Sequence, residues 1–307
     1  MKSEEELEAF FENELSPLIA PIEEYRIAKF RKLKIYLFSA LGCSLLTVLG
    51  FITKEPFFIM ILSIPMIAFL GSAFSLSNKT LETLAIRFKR DILPELLGFM
   101  FDDFEYIPRQ KIAASVIEES LLFPFTITGV DGEDFMRFTI GETNIMFCET
   151  TLCSGNTKNE VSYIFISATF NKYFFANTLL LPRHFDSFFQ NMKRHFFQNF
   201  NKIKLEDSDF EREFNVLSTD QVEARYILTP SLMQKILEYK MKVKKEIAIS
   251  FVGNRLYCAI PEFKDLFEPA FSKSFDLGFI RQNYDPIKLY TDLVEDLNLN
   301  LRIWSRQ

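Results

Sequence analysis

The sequence predicts an α+β protein: a two-helix transmembrane hairpin followed by a soluble domain with a mainly antiparallel sheet and packed helices. Three observations predict it. Two apolar runs, 35–52 and 57–76, stand in tandem near the start, with only Thr53-Lys54-Glu55-Pro56 between them. Beyond residue 121, short β-branched and aromatic runs are punctuated by glycine, asparagine and proline, the pattern of strands and turns. Helical periodicities fall among those runs without regular alternation, which argues against a parallel α/β sheet. The chain therefore divides into a cytoplasmic N-terminal helical segment (1–34), the hairpin (35–76), a helical connector (77–120) and a cytoplasmic α+β domain (121–307).

The N-terminal segment opens with Ser3-Glu4-Glu5-Glu6, a capping box in which Ser3 caps and Glu6 reaches back. Leu7, Phe10, Phe11, Leu15 and Leu18 follow at helical spacing, and Pro17 and Pro21 interrupt them. The polar face of this helix is acidic, so it suits packing on protein better than lying on anionic lipid.

Residues 35–76 contain only Lys54 and Glu55 as charged side chains. At the helical rise the two runs reach roughly 27 and 30 Å, close to a hydrocarbon core of about 30 Å. About ten large apolar residues in each favour insertion by roughly 3 to 6 kcal/mol. The short connection makes the helices antiparallel. Pro56 suits a first helical turn, Pro65 predicts a kink, and Gly42, Gly50 and Gly71 predict close helix contact. Arg26, Lys29, Arg31, Lys32 and Lys34 precede the first run, and Lys79, Arg87, Lys89 and Arg90 follow the second. The positive-inside rule then places both termini in the cytoplasm, making a multi-pass protein of the cell inner membrane. The first of these basic groups doubles as a candidate contact for anionic lipid head groups.

After the hairpin, Leu81, Leu84, Ala85, Phe88 and Ile92 mark one helix face, Pro94 predicts a bend, and a helix is expected near Pro108. Strands are expected over 123–128, 135–140, 144–150, 161–170 and 178–181, with turns at Asp131-Gly132 and Gly141-Glu142. Phe185, Phe188, Phe189, Met192 and Phe196 fall at helical spacing and read as a core face. Strands over 202–205 and 214–217 follow. Helices capped by Thr219 and Thr229 come next, then a hairpin through Gly253-Asn254, then a final helix over 286–297.

The net charge of -6 makes the chain a poor nucleic-acid binder. Cys43, Cys148, Cys153 and Cys258 form no dense disulfide framework, and with His184 and His195 they offer no metal-ligand spacing. Nucleophile-elbow and phosphate-loop motifs are absent from the sequence. No catalytic residue is assigned, and neither metal nor other cofactor is expected. Lys240, Lys242, Lys244 and Lys245 end a helix, where they complement its dipole or reach an anionic leaflet. The acidic run Glu206, Asp207, Asp209 and Glu211 reads as a solvated helix start.

The segment Asp220-Gln221-Val222-Glu223-Ala224-Arg225-Tyr226-Ile227-Leu228-Thr229-Pro230 resembles a motif of a bacterial family known as domain of unknown function 3137. Gly132-Glu133-Asp134, Thr169-Phe170-Asn171-Lys172, Asp265-Leu266-Phe267-Glu268-Pro269 and Val294-Glu295-Asp296-Leu297-Asn298-Leu299 resemble it too. The resemblance implies an uncharacterised membrane protein with an envelope role, and it carries no assigned activity. Members tend to have glycine near Phe175-Ala176-Asn177-Thr178, so its absence leaves a tight turn there open. Asp220, Glu223 and Arg225 form the candidate polar cluster; Glu223 and Arg225 lie two apart and do not face each other on a helix.

The leading expectation is a membrane-anchored cytoplasmic binding or scaffold module. Its expected partners are the lipid bilayer and a protein in the membrane or cytoplasm, with homo-oligomer formation open. The alternative is a membrane-associated enzyme acting on a lipid- or envelope-derived substrate, which needs Glu223, Arg225 or similar groups to line a cleft.

Overall fold

The computed structural model describes residues 2–54, 56–154, 160–183, 199–262 and 266–297. The chain forms two compact units, 1–100 with 267–283, and 101–266 with 284–307. The stripe Phe185 to Phe196, both histidines and Leu299 lie outside the described residues.

The first unit is helical. Helix α1 (Glu4–Phe10) starts on the expected capping box, with both reciprocal hydrogen bonds present. A π-helical turn, Phe11–Leu15, leads into α2 (Ser16–Thr53). Pro17 sits in its first turn, and Pro21 lies inside the helix without breaking it. Leu7, Phe10, Leu15, Ile19 and Ile22 are buried, so the amphipathic start packs on protein. Helix α2 ends at Lys54, whose φ of 58° stops it, and α3 (Pro56–Arg87) returns.

Both helices are long and apolar enough to cross a membrane, and their apolar windows are only 11% and 6% buried. Phe38, Leu45, Phe51, Ile64 and Phe74 are 69%, 63%, 64%, 66% and 70% exposed. A core helix hairpin of a soluble protein would hide such side chains; these surround the pair on its outer faces. Hydroxyls do not spoil the apolar surface, because Ser44, Thr47, Thr53 and Ser63 donate to carbonyls three or four residues back. Small residues mediate the helix contact, but not all those expected. Ala40, Gly50 and Ala73 are buried, whereas Gly42 and Gly71 face open space.

A second π turn, Phe88–Ile92, precedes α4 (Leu93–Met100), and Pro94 falls in the first turn of α4. Phe10 stacks on Phe99 at 4.3 Å. Residues 267–283 are threaded into this helical unit. Phe88 meets Phe279 edge-on at 5.1 Å, and Lys89 pairs with Glu268 at 2.9 Å. Arg281 pairs with Glu4 and Glu8. The resemblance motif around Phe267-Glu268-Pro269 thus has a packing role: Phe267 is buried and Glu268 neutralises a buried lysine.

The second unit is built on an antiparallel sheet of seven strands among the described residues. They are β1 (Phe104–Ile107), β2 (Ile127–Ile140), β3 (Thr143–Ser154), β4 (Glu160–Pro182), β5 (Asn201–Ile203), β6 (Phe214–Ser218) and β7 (Ala248–Pro261). The order is β1-β2-β3-β4-β6-β5, with β7 also paired to β4. Strand β4 is the spine. Its first half pairs with β3, its second half with β6, and β7 follows it along both halves.

Helices α5 (Ala114–Glu119), α6 (Ser208–Glu213), α7 (Gln221–Ile227), α8 (Pro230–Val243) and α9 (Leu277–Asp296) complete the described elements. Ile117, Leu122, Phe165, Leu179 and Tyr257 share a buried cluster over one face. Tyr290 of α9 meets Phe147 at 6.2 Å.

Two expected turns are not turns: Asp131-Gly132 lies inside β2 and Gly253-Asn254 lies inside β7. The interval between the strands expected over 161–170 and 178–181, where a turn was left open, lies inside β4. Asp131 and Gly132 pair in register with Thr151 and Thr150, the shift coming after Glu133, while Gly253 takes a positive φ where β4 and β7 fall out of step. The hairpin expected at Gly253 is therefore corrected to one long strand, because each half finds its partner in β4 rather than in the other half. The helix expected near Pro108 is also shorter, and residues 104–107 before it enter the sheet.

Candidate functional site: a braced bulge in the fourth strand

Strands β4 and β7 are out of step in the middle. Thr169 pairs with Arg255, Phe174 with Gly253, and Thr178 with Phe251. The intervening stretch of β4 carries extra residues, so its amides cannot all join the ladder. Buried or half-buried amides need partners, and side chains supply them. The Glu223 carboxylate accepts from the Phe175 and Ala176 N–H groups, each at 2.8 Å, one to each oxygen. The Thr219 hydroxyl accepts from the Asn177 N–H at 3.0 Å, and the Thr219 N–H donates to the Asn177 carbonyl at 3.1 Å. Three successive amides are thus held by two side chains of one short segment, two by the Glu223 carboxylate and one by the Thr219 hydroxyl. Phe175, Ala176 and Asn177 do this without a positive φ, so no glycine is needed.

The motif residues divide the labour. Asp220, not Thr219, caps α7, accepting from the Val222 and Glu223 N–H groups at 2.7 and 3.0 Å. Glu223 holds the bulge. Arg225 donates to the Lys204 carbonyl at 3.2 Å, tying α7 towards β5. The candidate cluster therefore does not converge on one point. Asp220 and Arg225 are exposed and Glu223 is half-buried.

The braced bulge presents apolar surface. Phe175 is 81% exposed and Tyr173 55%, their rings meeting edge-on at 5.6 Å. On α7, Val222 is 77% exposed and Tyr226 65%, one turn apart on the same side. Aromatic and aliphatic side chains held in water on a hydrogen-bonded frame are a recognised mark of an interaction surface. No sequence pattern pointed to it, because Tyr173 and Phe175 lie in the interval between two separately expected strands.

Cavities elsewhere in this unit offer less chemistry. A slot of about 450 Å³, mouth included, is lined by Phe123, Phe125, Tyr163, Leu181 and Pro261 among others. Its one charged lining residue, Glu246, is held by Lys240 at 2.9 Å. None of the three cavities described is lined by Asp220, Glu223 or Arg225. Among the described residues, Glu133, Asp134 and Glu149 have carboxylate oxygens within 4.8 Å of one another, a group the sequence did not single out for metal chemistry. Asp134 accepts from the Tyr106 hydroxyl at 2.5 Å and Glu149 from the Leu266 N–H at 3.1 Å, so both brace the fold. Burial pushes the Cys148 thiol up to about 11 and raises Cys258 as well, which makes both poor nucleophiles.

The basic runs separate in the same way. Lys240 pairs with Glu213 at 2.6 Å and with Glu246 at 2.9 Å. Burial alone would lower its pKa, and these two hydrogen bonds raise it instead. Lys245 pairs with Glu262. Arg26 is buried, pairs with Glu23 and donates to the Phe271 carbonyl at 3.0 Å. It is a structural residue, whereas Arg31, Lys32 and Lys34 are exposed and Lys29 is half-exposed. Lys32 lies 5.8 Å from the Tyr36 ring centre and Lys34 lies 4.6 Å from that of Phe30.

No curated protein matches the chain. The crystal structure of the mycobacterial trehalose monomycolate transport factor A, TtfA, is similar at 10% identity and a TM-score of 0.31, covering 66% of this chain and 90% of that one. Residues 163–299 match the model of the family described as Protein of unknown function (DUF3137), the family that the motif residues resemble.

Proposed function

We propose that this chain is a membrane-anchored binding module with an envelope role, whose soluble unit engages a protein partner through the aromatic surface of the β4 bulge. On this reading the helix pair crosses the inner membrane and both ends lie in the cytoplasm. The observation that carries it is the braced presentation of Phe175 and Tyr173 beside Val222 and Tyr226. A folded soluble surface rarely spends two carboxylate hydrogen bonds to hold aromatic rings in water unless something covers them. The enzyme alternative is less well supported. Its polar candidates serve as a cap, a brace and a tether, and the apolar slot lacks convergent polar groups.

The test is photo-crosslinking in intact membranes, with benzoylphenylalanine replacing Tyr226 in the full-length chain. The expected result is one reproducible adduct, lost when Phe175→Asp is added. Repeated absence of any adduct, or an adduct indifferent to Phe175→Asp, contradicts the proposal.

A further inference from the structure

Four cations of the helical unit are held by carboxylates. Arg26 belongs to Glu23, Lys89 to Glu268, Arg90 to Asp91, and Arg281 to Glu4 and Glu8. Lys29 and Arg87 differ. They come from different helices, α2 and α3, yet the Lys29 ammonium lies 5.1 Å from the Tyr25 ring centre and the Arg87 guanidinium 4.7 Å from the same centre. Among the described residues neither has a carboxylate within ion-pair distance, and all three side chains are half-buried. Two like charges gathered on one ring repel each other, and the face of a single tyrosine is a weak counter-charge. Asp91, one turn after Arg87, is bonded to Arg90 and reaches Arg87 only through its charge. A built pair of cations without an ion-pair contact, one a planar fork and one a flexible point charge, is the chemistry that holds a phosphate.

Depth narrows the setting. Lys29 lies six residues before the first apolar run and Arg87 eleven after the second, roughly 9 and 16 Å along their helices. That is outside the hydrocarbon, on the water side of the collar of Arg31, Lys32 and Lys34. We infer that Lys29, Arg87 and the Tyr25 ring form a phosphate-binding site on the helical unit, taking the phosphate of an anionic phospholipid or a free phosphate group. The site needs the two anchoring helices but not the partner proposed for the β4 bulge, so either can fail alone.

The test uses the full-length chain in neutral detergent, with native mass spectrometry counting retained phosphatidylglycerol against phosphatidylcholine. Inorganic phosphate is titrated in a second arm. The expected result is at least fivefold preferential retention of phosphatidylglycerol, or binding of inorganic phosphate, either one lost at least fivefold in Lys29→Gln/Arg87→Gln. Retention of lipid that inorganic phosphate does not displace identifies the lipid source; displacement identifies phosphate itself. Lys29→Arg/Arg87→Lys, which keeps both charges, is expected to bind. Should the double glutamine variant unfold, the two single variants replace it. Unchanged binding in folded glutamine variants, or no preference for phosphatidylglycerol and no phosphate binding, overturns the inference.

Discussion

Glu223 is the side chain that braces the bulge across 48 residues of sequence. Each of its oxygens accepts one amide, and hydrogen bonds to a charged group contribute about 1.5–3 kcal/mol, less where water competes. Glu223→Ala is therefore expected to destabilise this unit by about 1–3 kcal/mol in urea unfolding and to speed amide exchange at Phe175 and Ala176. Arg225→Ala, which loses one exposed bond to a carbonyl, is expected to cost less than about 1 kcal/mol. Equal costs for the two substitutions would remove the brace from the account. A second residue-scale prediction concerns pH. The Arg26 hydrogen bond holds the Glu23 carboxyl below its ordinary value of 4.5. A lowered folded pKa gives stability that is present above the ordinary value and lost as pH falls through the folded one. Thermal unfolding of the full-length chain should weaken on acidification below about pH 4.5, and Glu23→Gln should flatten that part of the profile. A Glu23→Gln variant with the same acid profile as the parent would exclude this pair as a contributor.

The long strands are where sequence and structure part most clearly. Runs of β-branched and aromatic residues located both ends of the spine strand β4 but not 171–177, and Gly141 is a true turn with φ of 60°. Turn residues were misleading inside β2 and β7, since glycine and asparagine also occur inside continuous strands. Gly132 shows why. A Cβ there would sit 2.4 Å from the Glu149 carbonyl oxygen, so glycine permits close strand approach rather than reversal. Gly132→Ala is expected to destabilise by about 1–3 kcal/mol through overpacking against backbone that cannot rotate away, read by urea unfolding. A neutral substitution would mean the β2–β3 approach is looser than described. Caps were legible because their chemistry is local: Ser3, Asp207 and Thr229 each accept an amide two or three residues on. The bulge and its brace were not legible, because Glu223 and Phe175 are 48 residues apart and no local rule joins them.

At the scale of the whole molecule, one half of the reading depends on solvent and the other on packing. The soluble unit buries Phe165, Tyr257, Phe251 and Phe147 almost completely, and its motifs act as scaffolding. The hairpin does the reverse, placing large apolar side chains on its outer faces while Ala40, Gly50 and Ala73 fill the contact between helices. Such a surface is stable in hydrocarbon and a liability in water. The exposed apolar residues of the bulge and α7 are a smaller version of the same argument, four side chains rather than two whole helices. The direct test of the anchor is fractionation of the full-length chain in membranes washed with sodium carbonate and then with neutral detergent. The account predicts that the chain stays with the membrane through carbonate and is released only by detergent. A chain that leaves in carbonate and remains monomeric without detergent would contradict it.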